Sequence, residues 1–237
     1  MLLVNDADLA FAGIAEQAKL LRERSVTSSR LVEVYLERIE RIDPGLDAFR
    51  EVYATEALAD AVEADRRLAA GETLPLLGVP VAIKDELDIA GRVTRHGTMA
   101  YDEPATTDAE HVRRLRSAGA IVIGKTNLPE LAITGFTDSE YAGDTRNPWD
   151  TSRTTGGSSG GSGAAVAAGL VGAASASDGA GSIRIPGANQ LESSLTEGRI
   201  WVLGRWSTVA SCFFHASTSI CVPSSTNLAA QMLSLIH

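Results

Sequence analysis

Apolar residues recur at helical spacing in the first part of the chain and condense into short unbroken runs further on. Leu31, Tyr35, Ile39 and Ile42 fall on one stripe, which predicts a helix over residues 28–42 with Ser28 or Ser29 as its cap. Asp43-Pro44-Gly45 stops it. A second helix is expected over 55–70, with Leu58, Ala61, Val62 and Leu68 inward and Gly71 closing it. The acids and arginines between those positions read as solvated faces. From Gly78 the pattern changes: 78–83 is a buried strand, β-branched at Val79, Val81 and Ile83. A helix over 108–118 points Val112 and Leu115 inward, and 119–124 is a second buried strand. Strand, helix and strand in that order form a crossover unit, and unbroken apolar strands argue for a sheet covered on both faces. A short helix at 129–133, an alanine-rich helix at 164–170 and a strand of small residues at 171–176 complete an α/β pattern.

Beyond about Asn189 the period is lost. Residues 191–237 are rich in serine and threonine, carry Trp201 and Trp206, and follow neither a helical nor a strand repeat. The chain therefore divides at about 188, with a folded core before it and a divergent segment of unknown fold over 189–237.

Composition adds exclusions. At 237 residues, 44% hydrophobic and 22% charged, the chain is an ordinary globular sequence able to bury a core. A formal net charge of -9 argues against binding nucleic acid through phosphates. No apolar run is long enough to span a bilayer, so no membrane partner is expected. Met1-Leu2-Leu3-Val4 runs straight into Asn5, Asp6 and Asp8, without the basic start and apolar length of a signal peptide, so a cytoplasmic protein is expected. Cys212 and Cys221, with His215 between them, match no common zinc spacing and read as ordinary thiols.

Three motif matches carry little. Gly119 to Thr126 fits G-x4-G-K-[ST], but its intervening positions are strand-forming, where a phosphate cradle needs a flexible loop. Gly157-Ser158-Ser159-Gly160-Gly161 fits the nucleophile elbow of an α/β-hydrolase-type esterase, yet it follows the polar stretch 149–155 in place of a hydrophobic strand, and its histidine would be His215 or His237. A flexible Gly-Ser linker would not lead straight into an alanine-valine helix and a second ordered motif.

The chemistry-bearing candidates lie in that glycine-serine run and in Asp178-Gly179-Ala180-Gly181-Ser182-Ile183-Arg184-Ile185-Pro186. Glycine lets main-chain N–H groups turn toward a ligand, and attack on a carbonyl needs a hydroxyl beside such donors. Lys84 ends the apolar run 79–83. Free lysine is almost wholly charged at pH 7, and burial at a strand end would favour its neutral, basic form. The neighbouring Asp85 would oppose this if its carboxylate faced the amine.

These blocks, together with Gly78 to Asp85, Gly124 to Glu130 and Asn147-Pro148-Trp149, resemble the amidase signature family over most of residues 10–186. The resemblance implies a mixed β-sheet covered by helices and a Ser-Ser-Lys triad of Lys84, Ser158 and Ser182. Ser182 would be the nucleophile, and Ser158, 24 positions before it, the relay to Lys84 through a cis Gly157–Ser158 peptide. The N–H groups of Gly179, Ala180, Gly181 and Ser182 would form the oxyanion hole. The family more often has glycine where Ala180 stands, so a positive φ there would strain the alanine. Asp178 would order the loop, and Arg184 would pair with a buried carboxylate. The implied reaction is hydrolysis of a small-molecule amide to acid and ammonia or amine, without metal or organic cofactor. Alternatives are a glutamine-dependent amidotransferase A-type subunit, needing partner subunits, and an inactive truncated fragment. Family members are much longer, so exposed strand edges would invite a partner chain, a homodimer among the assemblies allowed.

Overall fold

The computed structural model describes residues 5–191, together with two short strands at 201–202 and 211–215 whose backbone alone is described. Helices α1 (Asp6–Phe11), α2 (Gly13–Arg22) and α3 (Ser28–Ile42) come first. Helix α3 buries Leu31, Tyr35 and Ile39, as their spacing predicts. Its cap is Thr27, whose side chain accepts from the Arg30 N–H at 3.1 Å. The two serines expected there are used elsewhere. Ser28 Oγ donates to the Gly78 carbonyl (2.7 Å), and Ser29 Oγ donates to Asp65 (2.6 Å), fastening α3 to its neighbours.

After strand β1 (Phe49–Val52), helix α4 (Ala54–Ala69) runs to a stop at Gly71, where φ is +84°. Its inner face is Ala57, Ala61 and Ala64, whereas Val62 is 63% exposed. The face is set by three alanines at helical spacing, small enough for α4 to lie against α3 and the sheet. Strand β2 (Pro80–Lys84), helix α5 (Glu110–Ser117) and strand β3 (Ile121–Thr126) form the expected crossover. Strand β3 begins and ends two residues later than its apolar run, so Lys125 and Thr126 lie buried inside it. A phosphate loop at this position is thereby excluded.

Residues 130–132 make a single 3-10 turn with Leu131 at φ 52°, shorter than the helix expected there. Two polar hairpins follow, β4 (Asp138–Ser139) with β5 (Gly143–Asp144) and β6 (Arg146–Asn147) with β7 (Asp150–Thr154). Helix α6 (Gly160–Ala167) starts inside the glycine-serine run, and strand β8 (Ala173–Ser177) and helix α7 (Arg184–Leu191) succeed it. Helix α7 crosses residue 188, where the sequence suggested an end to the core.

The main sheet has the order β1-β3-β2-β8-β10-β9, with β9 at Trp201–Val202 and β10 at Ser211–His215. Strands β3, β2 and β8 are parallel, while β1 and β10 join antiparallel, giving the mixed sheet. Within 189–237, β10 pairs with β8 and β9 with β10. Trp206, Cys221 and His237 lie outside the described residues, as do the side chains of Cys212 and His215. No helix among the described residues is long and apolar enough to cross a membrane.

Every residue of α6 is buried, so the glycines are packing choices and the run is no linker. A Cβ on Gly161 would stand 2.4 Å from the Asn127 nitrogen and 2.6 Å from the Ala48 oxygen, both backbone atoms that cannot yield cheaply. Helix propensity favours alanine over glycine by about 1 kcal/mol, whereas overpacking costs about 1–3 kcal/mol or more. Packing wins here. Gly161→Ala is therefore expected to lower unfolding free energy in urea by about 2 kcal/mol or more. Gly45→Ala, with open space at its Cβ, should change it by less than about 0.5 kcal/mol. Equal values for the two variants would contradict this packing account.

Candidate active site

The parallel strands β2, β3 and β8 end together at Lys84, Thr126 and Ser177, and in open α/β sheets such carboxyl ends are where ligands bind. Lys84 pairs with Thr126 in register and has no solvent exposure. Its amine donates to Ser158 Oγ at 2.9 Å and to Ser177 Oγ at 2.8 Å. Glu86 Oε2 lies 3.1 Å from the same nitrogen. Burial pushes the Lys84 amine below the ordinary lysine value, while Glu86 and the more distant Asp178 push back.

Asp85 does not face the amine. It is the first residue beyond β2, and its carboxylate forms ion pairs with Lys125 Nζ and Arg50 Nε, each at 2.9 Å, on the far side. It also accepts from the Arg95 N–H at 3.2 Å, and its own carbonyl takes the His96 N–H. The feared opposition from Asp85 is thus absent, and Glu86 supplies it instead.

Ser158 follows a cis Gly157–Ser158 peptide and is 1% exposed. Its neighbour Ser159 is committed to structure. Ser159 N–H donates to the Ser182 carbonyl (3.1 Å), and its hydroxyl exchanges hydrogen bonds with the Ser177 backbone (3.2 and 3.3 Å). That engagement, and the exposed hairpin strand β7 preceding the run, leave no nucleophile elbow here. Ser158, Ser177 and Ser182 line one cavity of about 330 Å³, with Gly179 and Ala180 beside them and Ile133 and Ile185 as apolar wall.

Asp178 orders the loop as expected. Its carboxylate accepts from the N–H groups of Gly181 (2.7 Å), Ile183 (3.2 Å) and Arg184 (3.2 Å). The Arg184 guanidinium completes the cage at 2.8 and 2.9 Å, so its partner is Asp178. The guanidinium and these N–H groups hold the Asp178 carboxyl well below the usual carboxylate range. The left-handed conformation falls at Gly181 (φ +116°), and Ala180 stays out of it, so the alanine is not strained. Gly181 N–H points at Asp178, while the N–H groups of Gly179, Ala180 and Ser182 meet no acceptor among the described residues.

The sequence reading missed Ser177 and Glu86. The signal for Ser177 was the alternation in β8, where Ser175 and Ser177 share a face: Ser175 Oγ accepts the Lys84 backbone N–H at 2.8 Å and Ser177 Oγ its amine. Glu86 gave none, since only the turn after β2 folds it back, its N–H donating to the Lys84 carbonyl at 2.7 Å.

The model of the Amidase family matches residues 30–190, and the chain belongs to the amidase signature family. It is 60% identical over 183 residues to the protein named "Putative amidase AmiB2" from Mycobacterium tuberculosis, covering 77% of this chain and 40% of the relative. It is 46% identical to the A-type subunit of the "Glutamyl-tRNA(Gln) amidotransferase" of Azoarcus sp., covering 74% of this chain and 36% of that protein. Among solved structures, native peptide amidase from Stenotrophomonas maltophilia superposes with a TM-score of 0.71 at 36% identity, over 80% of this chain and 39% of that one. The chain thus spans about two fifths of the length of these relatives.

The Asp178 cage is open to a direct check. A carboxyl with a lowered folded value contributes stability that is present above the ordinary aspartate value, about 3.9, and lost as pH falls through the folded one. Asp178→Ala is expected to speed amide exchange at Gly181, Ile183 and Arg184 at least about tenfold at neutral pH, and to abolish its acid dependence there. Unchanged protection at these three amides would remove Asp178 from the loop's ordering.

Proposed function

We propose that this chain carries the acyl-transfer site of an amidase, which hydrolyses a carboxylic acid amide to acid and ammonia or amine. The observation that carries this is the buried Lys84 amine, 2.9 Å from the Oγ of Ser158, which lines one cavity with Ser182. Relatives named amidase, one of them 60% identical, support the same reading.

In this account Ser182 Oγ attacks the amide carbon while its proton passes to Ser158 and the Ser158 proton to neutral Lys84. The new oxyanion takes N–H donors from Gly179, Ala180 and Ser182, each worth about 3–4 kcal/mol of barrier where such a donor has been removed. Gly181 contributes conformation to this set, since its N–H is held by Asp178. The proton then returns through Ser158 to the departing nitrogen, leaving an acyl-enzyme at Ser182. Water, losing its proton along the same path, releases the acid and restores the serine.

Three variants test the assignment. Hydrolysis of a chromogenic anilide by the purified chain should fall about 10³-fold or more in Lys84→Ala and Ser182→Ala, of the order seen when triad members are removed. Phosphonylation by a fluorophosphonate should map to the peptide containing Ser182. In the unsubstituted chain kcat/KM should fall with decreasing pH through a single group placed below 10.5, since burial lowers Lys84 and only its neutral form can accept the proton. Modification at Ser159, or activity surviving in Lys84→Ala, would defeat the proposal.

A second reading rests on the 46% identity to an amidotransferase A-type subunit. There the same site would release ammonia from glutamine for transfer to another carboxyl group. Glutamine hydrolysis appearing only on addition of partner subunits, with no anilide turnover by the chain alone, would favour it.

A further inference from the structure

Lys84 Nζ has three oxygen neighbours: Ser158 Oγ at 2.9 Å, Ser177 Oγ at 2.8 Å and Glu86 Oε2 at 3.1 Å. An ammonium carries three N–H donors and no acceptor, so three accepting oxygens fit the charged form. A neutral amine has two N–H groups and one lone pair, and the lone pair must receive a proton from a neighbour. An ionised carboxylate has none to give, whereas either hydroxyl does. The three oxygens therefore play unequal parts. Two can feed the amine, and one can only hold it charged.

We propose that Glu86 is a positioning residue that sets whether Lys84 rests as a held ammonium or stands as the free amine that drives acyl transfer. It rests on the amidase reading of the same site. Glu86 suits the task by its position. It lies two residues beyond Lys84 in the turn after β2, its side chain is 20% exposed, and it reaches an amine with no exposure. A partly exposed carboxylate anchored on a turn can swing to water, which an oxygen on a strand cannot. Departure of Glu86 leaves Lys84 with two hydroxyl neighbours and removes the nearest charge that favours its ammonium form. Asp178, from the end of β8, favours the ammonium as Glu86 does. Glu86 itself also faces His111 of α5, whose ring is held low by burial and by Arg114. On the far face Asp85 pairs with Lys125 and Arg50, and Arg50 also pairs with Glu51.

The decisive measurement is titration of Lys84 by the chemical shift of its ε-carbon in protein labelled with ε-13C lysine, the resonance being assigned by its loss in Lys84→Ala. In Glu86→Gln, which keeps shape and hydrogen bonding but no charge, the Lys84 midpoint should fall by about one pH unit or more, since an opposite charge within 4–6 Å favours the charged form by about 1–3 units. Glu86→Asp should fall between the two. The acid limb of kcat/KM should move with the midpoint, raising the rate on that limb about tenfold per unit. A midpoint that stays in place or rises in Glu86→Gln overturns the role of Glu86, whatever the activity. A midpoint that falls while no amide is cleaved at any pH upholds Glu86 and sinks the amidase reading instead.

Discussion

A lysine amine taken wholly out of water is the constraint on which the rest of the site depends. Burying an ammonium is expensive, and a protein that does so either supplies acceptors or lets the group shed its proton. Lys84 meets both conditions in part. Two hydroxyls and one carboxylate surround its nitrogen, and burial still favours the neutral form. The same burial that closes the end of a strand thus favours the neutral amine, the form that the proposed mechanism uses as its base.

The scaffold explains how such a lysine is held. Strand β2 lies between β3 and β8, so the Lys84 backbone is fixed from both sides, by the Thr126 register and by Ser175 Oγ. Asp85, the first residue beyond β2, turns away from the amine to the opposite face, where Lys125 and Arg50 pair with it. That second centre has a structural task. Asp85 fixes Arg95 and His96, and the His96 carbonyl takes the Leu131 N–H, fastening the segment that leads to Ile133 at the cavity wall. Lys84 at the end of β2 and Asp85 just after it therefore organise two walls of the site. Helix α6 could approach this floor only with glycines at 160 and 161, because threonine, asparagine and backbone atoms occupy the space of a side chain.

Much of this is legible in the amino-acid sequence. The strands of β2 and β3 showed as unbroken apolar runs, and Lys84 stood at the end of one. The stripe of α3 showed as Leu31, Tyr35 and Ile39. What escaped was set by partners distant in sequence. Val62 looked like a core residue and is exposed, because three alanines could pack closer. Ser28 and Ser29 looked like caps and serve as links to Gly78 and Asp65. Strands β4 to β7 are polar and two to five residues long, too short to show a period. Glu86 reads as a turn carboxylate until its turn is seen to fold back on the amine. Ala180, a departure from the family's usual glycine, proved harmless since the left-handed step falls on Gly181.

The account stands most directly on where a transition-state mimic sits. A crystal structure of the phosphonylated chain should show phosphorus bonded to Ser182 Oγ, its oxygen toward the N–H groups of Gly179 and Ala180, and Ser158 Oγ between Ser182 and the Lys84 amine. Phosphorus on another serine, or a Lys84 amine turned away from Ser158 in that adduct, would contradict it.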